Sequence, residues 1–427
     1  MCDDLLIPGF LLTKSWLQDR IEERHAVRPN IGKVTPLGKD ATGYMSLIRR
    51  VQLEWSCNRS ELPNSVIVKI PFTAAVHDAL DKSSGTSSSQ EDMNLLQKVF
   101  HSVESRFYRI VEEEKQKPLL VPTIYANEDS DADQPVIVMQ DYQSCYVVDL
   151  VQGFSEKQLF AIVDQIVKLQ AFAMKNKKCV AFQQPPEMNQ LMSTFTAQCK
   201  LICLNLMGSE PVRLSCIKIF MANTFDRDSD WMTKMVNEYE SGGHTRFSDN
   251  NEGKSWSYQR LLHHLASTKC NSLCERPSVL THGDLWAANI LWWDNSSIGG
   301  MVDWQAAHRG SPVEDLLRVL STSATVENRR QLLNPLLDYY HKEMVDALGN
   351  DAMFSRDSID EELRHFVPLG CMMIIFATAM WINSSVLNRD EESSTSRRNE
   401  MVQRCRSYIE DRTLLDSSDR NQDVSRC

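Results

Sequence analysis

The nine residues 281–289 read THGDLWAAN, and they decide the fold class of this chain. They place the Asp284 carboxylate five residues before the Asn289 carboxamide. The apolar run ILWW (290–293), the turn residues DNSS (294–297) and a second run, GMV (300–302), predict a β-hairpin directly after them. A lone Asp or Asn in a loop is usually only a turn-forming residue. The prediction therefore depends on the complete pattern rather than on either residue alone.

A second carboxylate, Asp303, follows the hairpin in the segment MVDWQ, 14 residues after Asn289. A hairpin of that length returns Asp303 to the side of the loop. Oxygen ligands that meet there can hold Mg²⁺, which binds a few carboxylates together with substrate phosphates.

The spacing His-x-Asp-Leu-x-x-x-Asn is that of the kinase catalytic loop, and Asp303 stands where such enzymes carry the aspartate of Asp-Phe-Gly. The pattern predicts phosphoryl transfer from ATP to a hydroxyl. Asp284 would be the catalytic base, and His282 is assigned to the catalytic residues beside it. Asn289 and Asp303 would be the Mg²⁺ ligands.

The N-terminal part supplies candidates for phosphate binding. Lys69 ends the β-branched run SVIVK (65–69) and is similar to the lysine that contacts the α- and β-phosphates in kinases. Glu104, on a predicted helix, is the candidate ion-pair partner of Lys69. Gly38 and Gly43 could cover the phosphates with backbone N–H groups. They do not form the pattern G-x-G-x-x-G, and a plain hairpin turn explains them equally well.

Strand patterns at 44–55, 65–72 and 136–139 precede a mainly helical remainder. Capping boxes at Ser155 and Ser311 predict two helix starts. We therefore expect an α+β, two-lobed chain: a strand-rich, nucleotide-binding N-lobe (1–141), with a mobile polar loop at 81–92, and a helical C-lobe (142–388) that carries the catalytic loop and the acceptor pocket. The last residues, 389–427, are predicted to be a polar tail.

The bulk composition limits the classes of partner and the compartment that we expect for this chain. The net charge of −11 argues against binding to nucleic acid. The N-terminus has no signal-peptide pattern, so the 12 cysteines are expected to be reduced thiols in a cytoplasmic protein. The apolar run 366–382 is short for a membrane span and predicts a buried helix. His263, His264, Cys270 and Cys274 match no standard zinc spacing.

The kind of acceptor follows from a short segment. Only seven residues separate Asp303 from Ser311, where the next helix is predicted to begin. A protein kinase needs a long activation segment there to bind a peptide. Gly283 also replaces the arginine of regulated protein kinases. We therefore expect a small-molecule hydroxyl acceptor.

The catalytic stretch 282–289, followed by VDWQ at 302–305, resembles the ecdysteroid-kinase-like family. This family is also called CHK kinase-like, and it is related to choline and aminoglycoside kinases. The segments GYMS (43–46), Glu104-x-x-x-Tyr108 and LQA (169–171) agree with it. The resemblance covers most of residues 35–385, and no family counterpart is assigned to the tail.

The resemblance implies a protein-kinase-like fold, ATP and Mg²⁺ as cosubstrates, and an acceptor that can be lipophilic. It implies that Met139 to Asp141 form the adenine-binding hinge. Gln140 and Gln170 depart from the family pattern, at positions where an acidic residue and a histidine are frequent. Two alternatives stay open: a catalytically inactive kinase-like binding or scaffold protein, and a protein kinase. The acceptor pocket is expected among residues 187–260, with Trp286, Trp304 and Trp231 as candidate lining residues.

Overall fold

The computed structural model describes most of the chain on either side of a long central gap. It describes residues 4–37, 42–43, 45–57, 59–74, 77–78, 81, 87, 89–114, 119–180, 182, 185, 187, 279–349, 355–382 and 384–423. Beyond residue 187, the expected acceptor region, Trp231 and the four candidate zinc residues therefore lie outside the described residues, as does Gly38.

The N-terminal part is an antiparallel sheet with a helix on each face. Its strands are β1 (Asn30–Pro36), β2 (Thr42–Gly43), β3 (Ser46–Glu54), β4 (Ser65–Pro71), β5 (Ile124–Glu128) and β6 (Val136–Gln140). Their order is β1-β3-β4-β6-β5, and β2 pairs with β3. Helix α1 (Lys14–His25) and helix α2 (Gln90–Glu112) complete this part. Helix α2 begins at Gln90 with Ser89 as its N-cap, so residues 90–92 of the predicted polar loop (81–92) belong to the helix instead.

The two faces of strand β4 decide where the lysine points. Successive side chains of a strand alternate between the faces of a sheet. Val66, Val68 and Ile70 join the apolar cluster that includes residues of α1, whereas Ile67 joins the larger cluster that includes residues of α2. Lys69 shares the face of Ile67, so its side chain points toward α2 and the C-terminal part.

The C-terminal part is mainly helical. Its helices are α3 (Glu156–Lys175), α4 (Lys177–Val180), α5 (Glu314–Thr322), α6 (Val326–Leu348), α7 (Arg356–Trp381) and α8 (Glu391–Asp423). Its short strands are β7 (Tyr146–Val147), β8 (Val279–Thr281), β9 (Ile290–Trp292), β10 (Ile298–Met301) and β11 (His308–Gly310). Strands β9 and β10 form the predicted hairpin. The predicted α+β architecture is confirmed, with a sheet-rich region followed by a helical region.

One of the two predicted capping boxes is present. At Ser155 both reciprocal hydrogen bonds with Gln158 form. At Ser311 the prediction is wrong, because α5 begins at Glu314 and no side chain caps it. The Glu314 carboxylate contacts His308 Nε2 at 3.1 Å instead of turning back to Ser311. The acidic side chain that a capping box needs is therefore paired with the His308 imidazole.

The predicted polar tail is a packed helix. Helix α8 buries Met401, Cys405 and Tyr408, which are spaced for one helix face. Arg404 is buried too, and its Nη1 donates to the carbonyl of Leu150 at 2.7 Å. The many charged and polar residues of this segment predicted a polar tail, but the guanidinium of Arg404 is buried and donates to backbone carbonyls.

The apolar run at 366–382 lies almost entirely within helix α7, which ends at Trp381. Across the described part of the chain, no helix combines the length and the apolar character that crossing a bilayer requires.

Candidate active site

Lys69 joins the two halves of the molecule. Its Nζ lies 2.5 Å from Glu104 Oε2 and 2.5 Å from Asp303 Oδ1. Glu104 comes from α2, and Asp303 follows the β9–β10 hairpin. The structure therefore brings together three predicted site residues that are far apart in the sequence.

Electrostatics keep this lysine charged. Burial by itself lowers the pKa of Lys69, but the charges of Asp303 and Glu104 outweigh it and hold the pKa above its ordinary value. Burial raises the pKa of Glu104, and the charge of Lys69 opposes that shift. Asp303 has a left-handed backbone (φ 68°, ψ 57°), which is unusual for a residue other than glycine. Such conformations concentrate at functional sites.

The predicted catalytic loop, residues 281–289, is held by a buried carboxylate in α5. Asp315 Oδ2 accepts from the His282 backbone N–H at 2.8 Å, and its Oδ1 accepts from the Gly283 N–H at 3.0 Å. Burial raises the pKa of Asp315, and its contacts with His282 and Gly283 oppose that shift. Gly283 has a positive φ of 80°, and an added Cβ would lie 2.2 Å from the Ala306 carbonyl oxygen. Only glycine fits there, which accounts for its replacement of the arginine.

The two polar groups of the loop face different partners. Asn289 Nδ2 donates to the backbone carbonyl of Asp284 at 2.8 Å, which leaves the amide oxygen as the group able to bind a metal. The Asn289 carbonyl accepts from the Val302 N–H at 3.0 Å, so Asn289 and Asp303 lie side by side across the hairpin. Asp284 Oδ1 accepts from Arg318 Nε at 3.2 Å and Nη2 at 2.8 Å.

His282 is fully buried, and both of its ring nitrogens are used. Nε2 lies 3.0 Å from the Val302 carbonyl, and Nδ1 accepts from the Asp284 N–H at 3.3 Å. A carbonyl can only accept, so Nε2 carries a hydrogen in this contact. The ring supports the loop and is not exposed to a substrate.

Two of the candidate pocket tryptophans have clear positions. Trp304 is buried in the core between His282 and Phe107, at centroid distances of 4.4 Å and 3.9 Å. It does not line a pocket. Trp286 is half-buried and stacks on Trp381 at 4.8 Å.

The residues predicted to form the adenine-binding hinge, Met139 to Asp141, lie at the end of β6 and directly after it. Met139 is buried and pairs with Ile67 and Ile124. The Asp141 carboxylate accepts from Arg50 Nε at 2.5 Å and from Ser65 Oγ at 2.5 Å, so its side chain ties the hinge to the sheet. Gly43 pairs with Ser46 in the β2–β3 hairpin.

Both departures from the family pattern have a structural place. Gln140 Oε1 accepts from the Thr123 N–H at 3.2 Å. The buried Gln170 donates to the Pro312 carbonyl at 3.1 Å and accepts from Tyr340. It therefore bridges α3, α6 and the segment before α5.

Three residues of the site were not predicted: Asp315, Arg318 and Ser323. Ser323 Oγ accepts from the Ala287 N–H at 2.9 Å. All three hold the loop from α5 or its C-terminal end. The spacing of Asp315 and Arg318, three residues apart on a predicted helix that closely follows Asp303, was the available signal.

The family follows from a comparison of the whole chain with known proteins. A family model, described as "DUF1679: Uncharacterized oxidoreductase dhs-27", matches residues 30–201 and 255–418. The chain belongs to this family. Membership in the DUF1679 family agrees with the resemblance to the CHK kinase-like family. The family resemblance predicted from the sequence is therefore confirmed. The match continues to residue 418, so it supplies a family counterpart for most of the segment from residue 389 onward, to which the sequence motifs assigned none.

Two Caenorhabditis elegans proteins are similar in sequence. "Uncharacterized oxidoreductase dhs-27" is 25% identical over 328 residues, which cover 73% of this chain and 35% of that protein. "Uncharacterized kinase-like protein D1044.1" is 22% identical over 305 residues, 70% of each chain. The chain thus spans about a third of the length of the first relative.

Among solved structures, choline kinase LicA from Streptococcus pneumoniae aligns with a TM-score of 0.40 and 12% identity. The alignment covers 92% of this DUF1679 chain and 99% of that one.

Proposed function

We propose that this chain is an ATP-dependent phosphotransferase that phosphorylates a hydroxyl of a small molecule. One observation carries the proposal. Lys69, Glu104 and Asp303 meet at 2.5 Å contacts, next to a loop that carries Asp284 and Asn289. These are the groups that phosphoryl transfer needs: a cation for the phosphates, oxygen ligands for a metal, and a carboxylate base.

Each residue has a role in this proposal. Lys69, held by Glu104, contacts the α- and β-phosphates. Asp284 orients the acceptor hydroxyl and accepts its proton. Most of the barrier reduction comes from positioning and charge stabilisation, without a covalent intermediate. His282 supports the loop and does not contact the acceptor.

The donor atoms fit Mg²⁺. Asn289 offers an amide oxygen and Asp303 a carboxylate, and hard oxygen donors are the ligands that Mg²⁺ prefers. Asp303 uses Oδ1 for Lys69, which leaves Oδ2 for a metal. When bound, the ion would neutralise charge on the transferring phosphates.

The short connection after Asp303 favours a small acceptor over a peptide. Strand β11 begins at His308 and pairs at once with β8, so residues 304–307 are all that lie between Asp303 and the next strand. A peptide-binding activation segment has no room there. The name oxidoreductase belongs to a relative of which this chain spans about a third, and the chain has no G-x-G-x-x-G dinucleotide pattern.

The first experiment is a thermal-shift titration with ATP, with and without Mg²⁺, on the wild type and Asp303→Ala. We expect stabilisation that depends on Mg²⁺ and that the variant loses. No shift of the wild type at millimolar ATP would favour the inactive, scaffold-type alternative.

A second variant separates binding from chemistry. Asp284→Ala should retain Mg²⁺-ATP affinity and lose transfer to a hydroxylated acceptor by about 10²–10⁴-fold. Transfer at the wild-type rate by Asp284→Ala would remove Asp284 from the role of base.

A further inference from the structure

Helix α5 contacts the predicted catalytic loop (281–289) through two of its side chains. All nine of its residues are buried, and it packs against α3, α6, α7 and α8. Asp315 binds the backbone of His282 and Gly283, and Arg318, three residues later, binds the side chain of Asp284. Residues three apart lie on the same helix face. One rigid surface therefore fixes three consecutive loop residues.

The contact between Arg318 and Asp284 is directional. Nε and Nη2 of the guanidinium both donate to Oδ1, at 3.2 Å and 2.8 Å. The Arg318 side chain is 9% exposed, whereas that of Asp284 is 26% exposed. Oδ2 is thus left as the oxygen for an acceptor hydroxyl. Two N–H groups of one planar guanidinium converge on Oδ1 and hold this oxygen in one place, whereas a lysine ammonium is a compact charge with rotatable donors on a flexible stem.

We propose that Arg318 is the positioning residue for the catalytic base: it turns the Asp284 carboxylate so that Oδ2 faces the acceptor. This inference rests on the proposed function. It adds a residue outside the catalytic-loop pattern, 34 positions after the base and on a different element.

A contribution to the stability of the fold is a weak explanation for the arginine at position 318. Its Nη1 is buried and, among the described residues, has no hydrogen-bond partner. An unpaired buried donor costs stability. Its partner Asp284, by contrast, is partly exposed and can be solvated without the guanidinium. Positioning of the base therefore explains Arg318 better than stabilisation does.

The test uses hydrolysis of Mg²⁺-ATP by the full chain, with water in place of the unidentified acceptor. Arg318→Ala should lose about 100-fold in rate, since small displacements of a reacting group cost that much. Its affinity for Mg²⁺-ATP, measured with a fluorescent ATP analogue, should not change. Millimolar guanidinium should restore part of the rate, and the same concentration of NaCl should not. Arg318→Lys should remain slow.

Two controls make the result specific. Arg329→Ala removes an arginine of similar burial, paired with Asp411 at 2.6 Å, at the contact between α6 and α8. It should lower the melting temperature and leave the rate per folded molecule unchanged. Asp284→Ala sets the lowest rate, and guanidinium should not rescue it.

Each possible outcome of this test either supports or overturns the proposal. Loss of rate with unchanged affinity and rescue by guanidinium supports the proposal. An unchanged rate in Arg318→Ala overturns it. A loss of rate that guanidinium cannot restore also overturns the proposal, and so does a loss that a lower nucleotide affinity explains. In both cases a structural role of Arg318 would be enough to explain the loss. A wild type that forms no ADP overturns the proposed transfer chemistry, and this inference with it.

Discussion

Phe107 of α2 lies flat on Trp304, with ring centroids 3.9 Å apart and ring planes 11° apart. On its other side Trp304 meets the ring of His282 at 4.4 Å. The stack joins the helix that carries Glu104, the residue after Asp303, and the catalytic loop. Three parts of the candidate site therefore meet in one aromatic cluster.

Replacement of Phe107 by leucine keeps an apolar side chain and removes the stack. We expect Phe107→Leu to lose about 1 kcal/mol of stability. Turnover of Mg²⁺-ATP should fall further, by about 10–100-fold, because Glu104 and Asp303 lose their common support. Melting temperature and ADP formation at saturating nucleotide measure the two effects.

Phe154→Leu is the matched control. Phe154 is equally buried and meets Trp292 at 5.8 Å, but it belongs to the core of the helical part. It should cost similar stability and leave turnover per folded molecule intact. Equal losses of turnover in both variants would show that the Phe107–Trp304 stack has no particular role.

The Lys69–Glu104 pair separates a structural from a binding contribution. Lys69→Met leaves the Glu104 carboxylate buried without its counter-charge, which should cost about 3–5 kcal/mol. Lys69→Met with Glu104→Gln removes both charges and should recover most of that stability. Neither variant should bind Mg²⁺-ATP well, because both lack the cation for the phosphates. Urea denaturation and nucleotide titration check the two parts. Strong nucleotide binding by the double variant would contradict the role of Lys69.

The sequence was a good guide where one local pattern defines a feature. Strand β4 (Ser65–Pro71) and the β9–β10 hairpin lie within two residues of their predicted positions, since alternation and turn residues act over a few positions. The loop pattern likewise indicated Asp284 and Asn289. Its glycine has a physical reason, because an added Cβ at Gly283 would meet the Ala306 carbonyl oxygen.

The sequence was a poor guide where a residue depends on a distant partner. Arg318 reads as a polar position in an apolar helix until Asp284, 34 positions earlier, lies beside it. The composition of residues 389–427 predicted a polar tail, although Arg404 of α8 is buried and donates to the carbonyls of Leu150 and Thr322. Whether a charged side chain can be buried depends on its partners in the tertiary structure, and the periodicity of the sequence does not reveal those partners.

The catalytic loop should be intolerant of any side chain at Gly283. The Gly283→Ala variant has two costs: a positive φ and a Cβ 2.2 Å from a backbone oxygen that cannot simply move away. Gly9→Ala is the control, because Gly9 has a similar φ of 87° and open space around the added atom. We expect Gly9→Ala to lose about 1–2 kcal/mol and keep turnover. Gly283→Ala should lose more stability and most turnover. Equal effects would mean that the backbone alone matters.

His308 should make stability depend on pH. Burial lowers the pKa of His308, but the charge and hydrogen bond of Glu314, 3.1 Å away, outweigh it and raise the pKa to about 9 from 6.5. A pKa that is higher in the folded state means that protonated His308 stabilises the fold. That stabilisation is complete below pH 6.5 and disappears as the pH rises through about 9. It amounts to about 3 kcal/mol at most.

We therefore expect the melting temperature of the wild type to fall between pH 6.5 and 9. Glu314→Gln keeps the shape of the side chain and removes the charge that holds the proton on His308. Its melting temperature should be lower than that of the wild type at pH 6.5 and should change less across the same range. Thermal denaturation in matched buffers of constant ionic strength measures both slopes. Parallel slopes would assign the pH dependence to groups other than the His308–Glu314 pair.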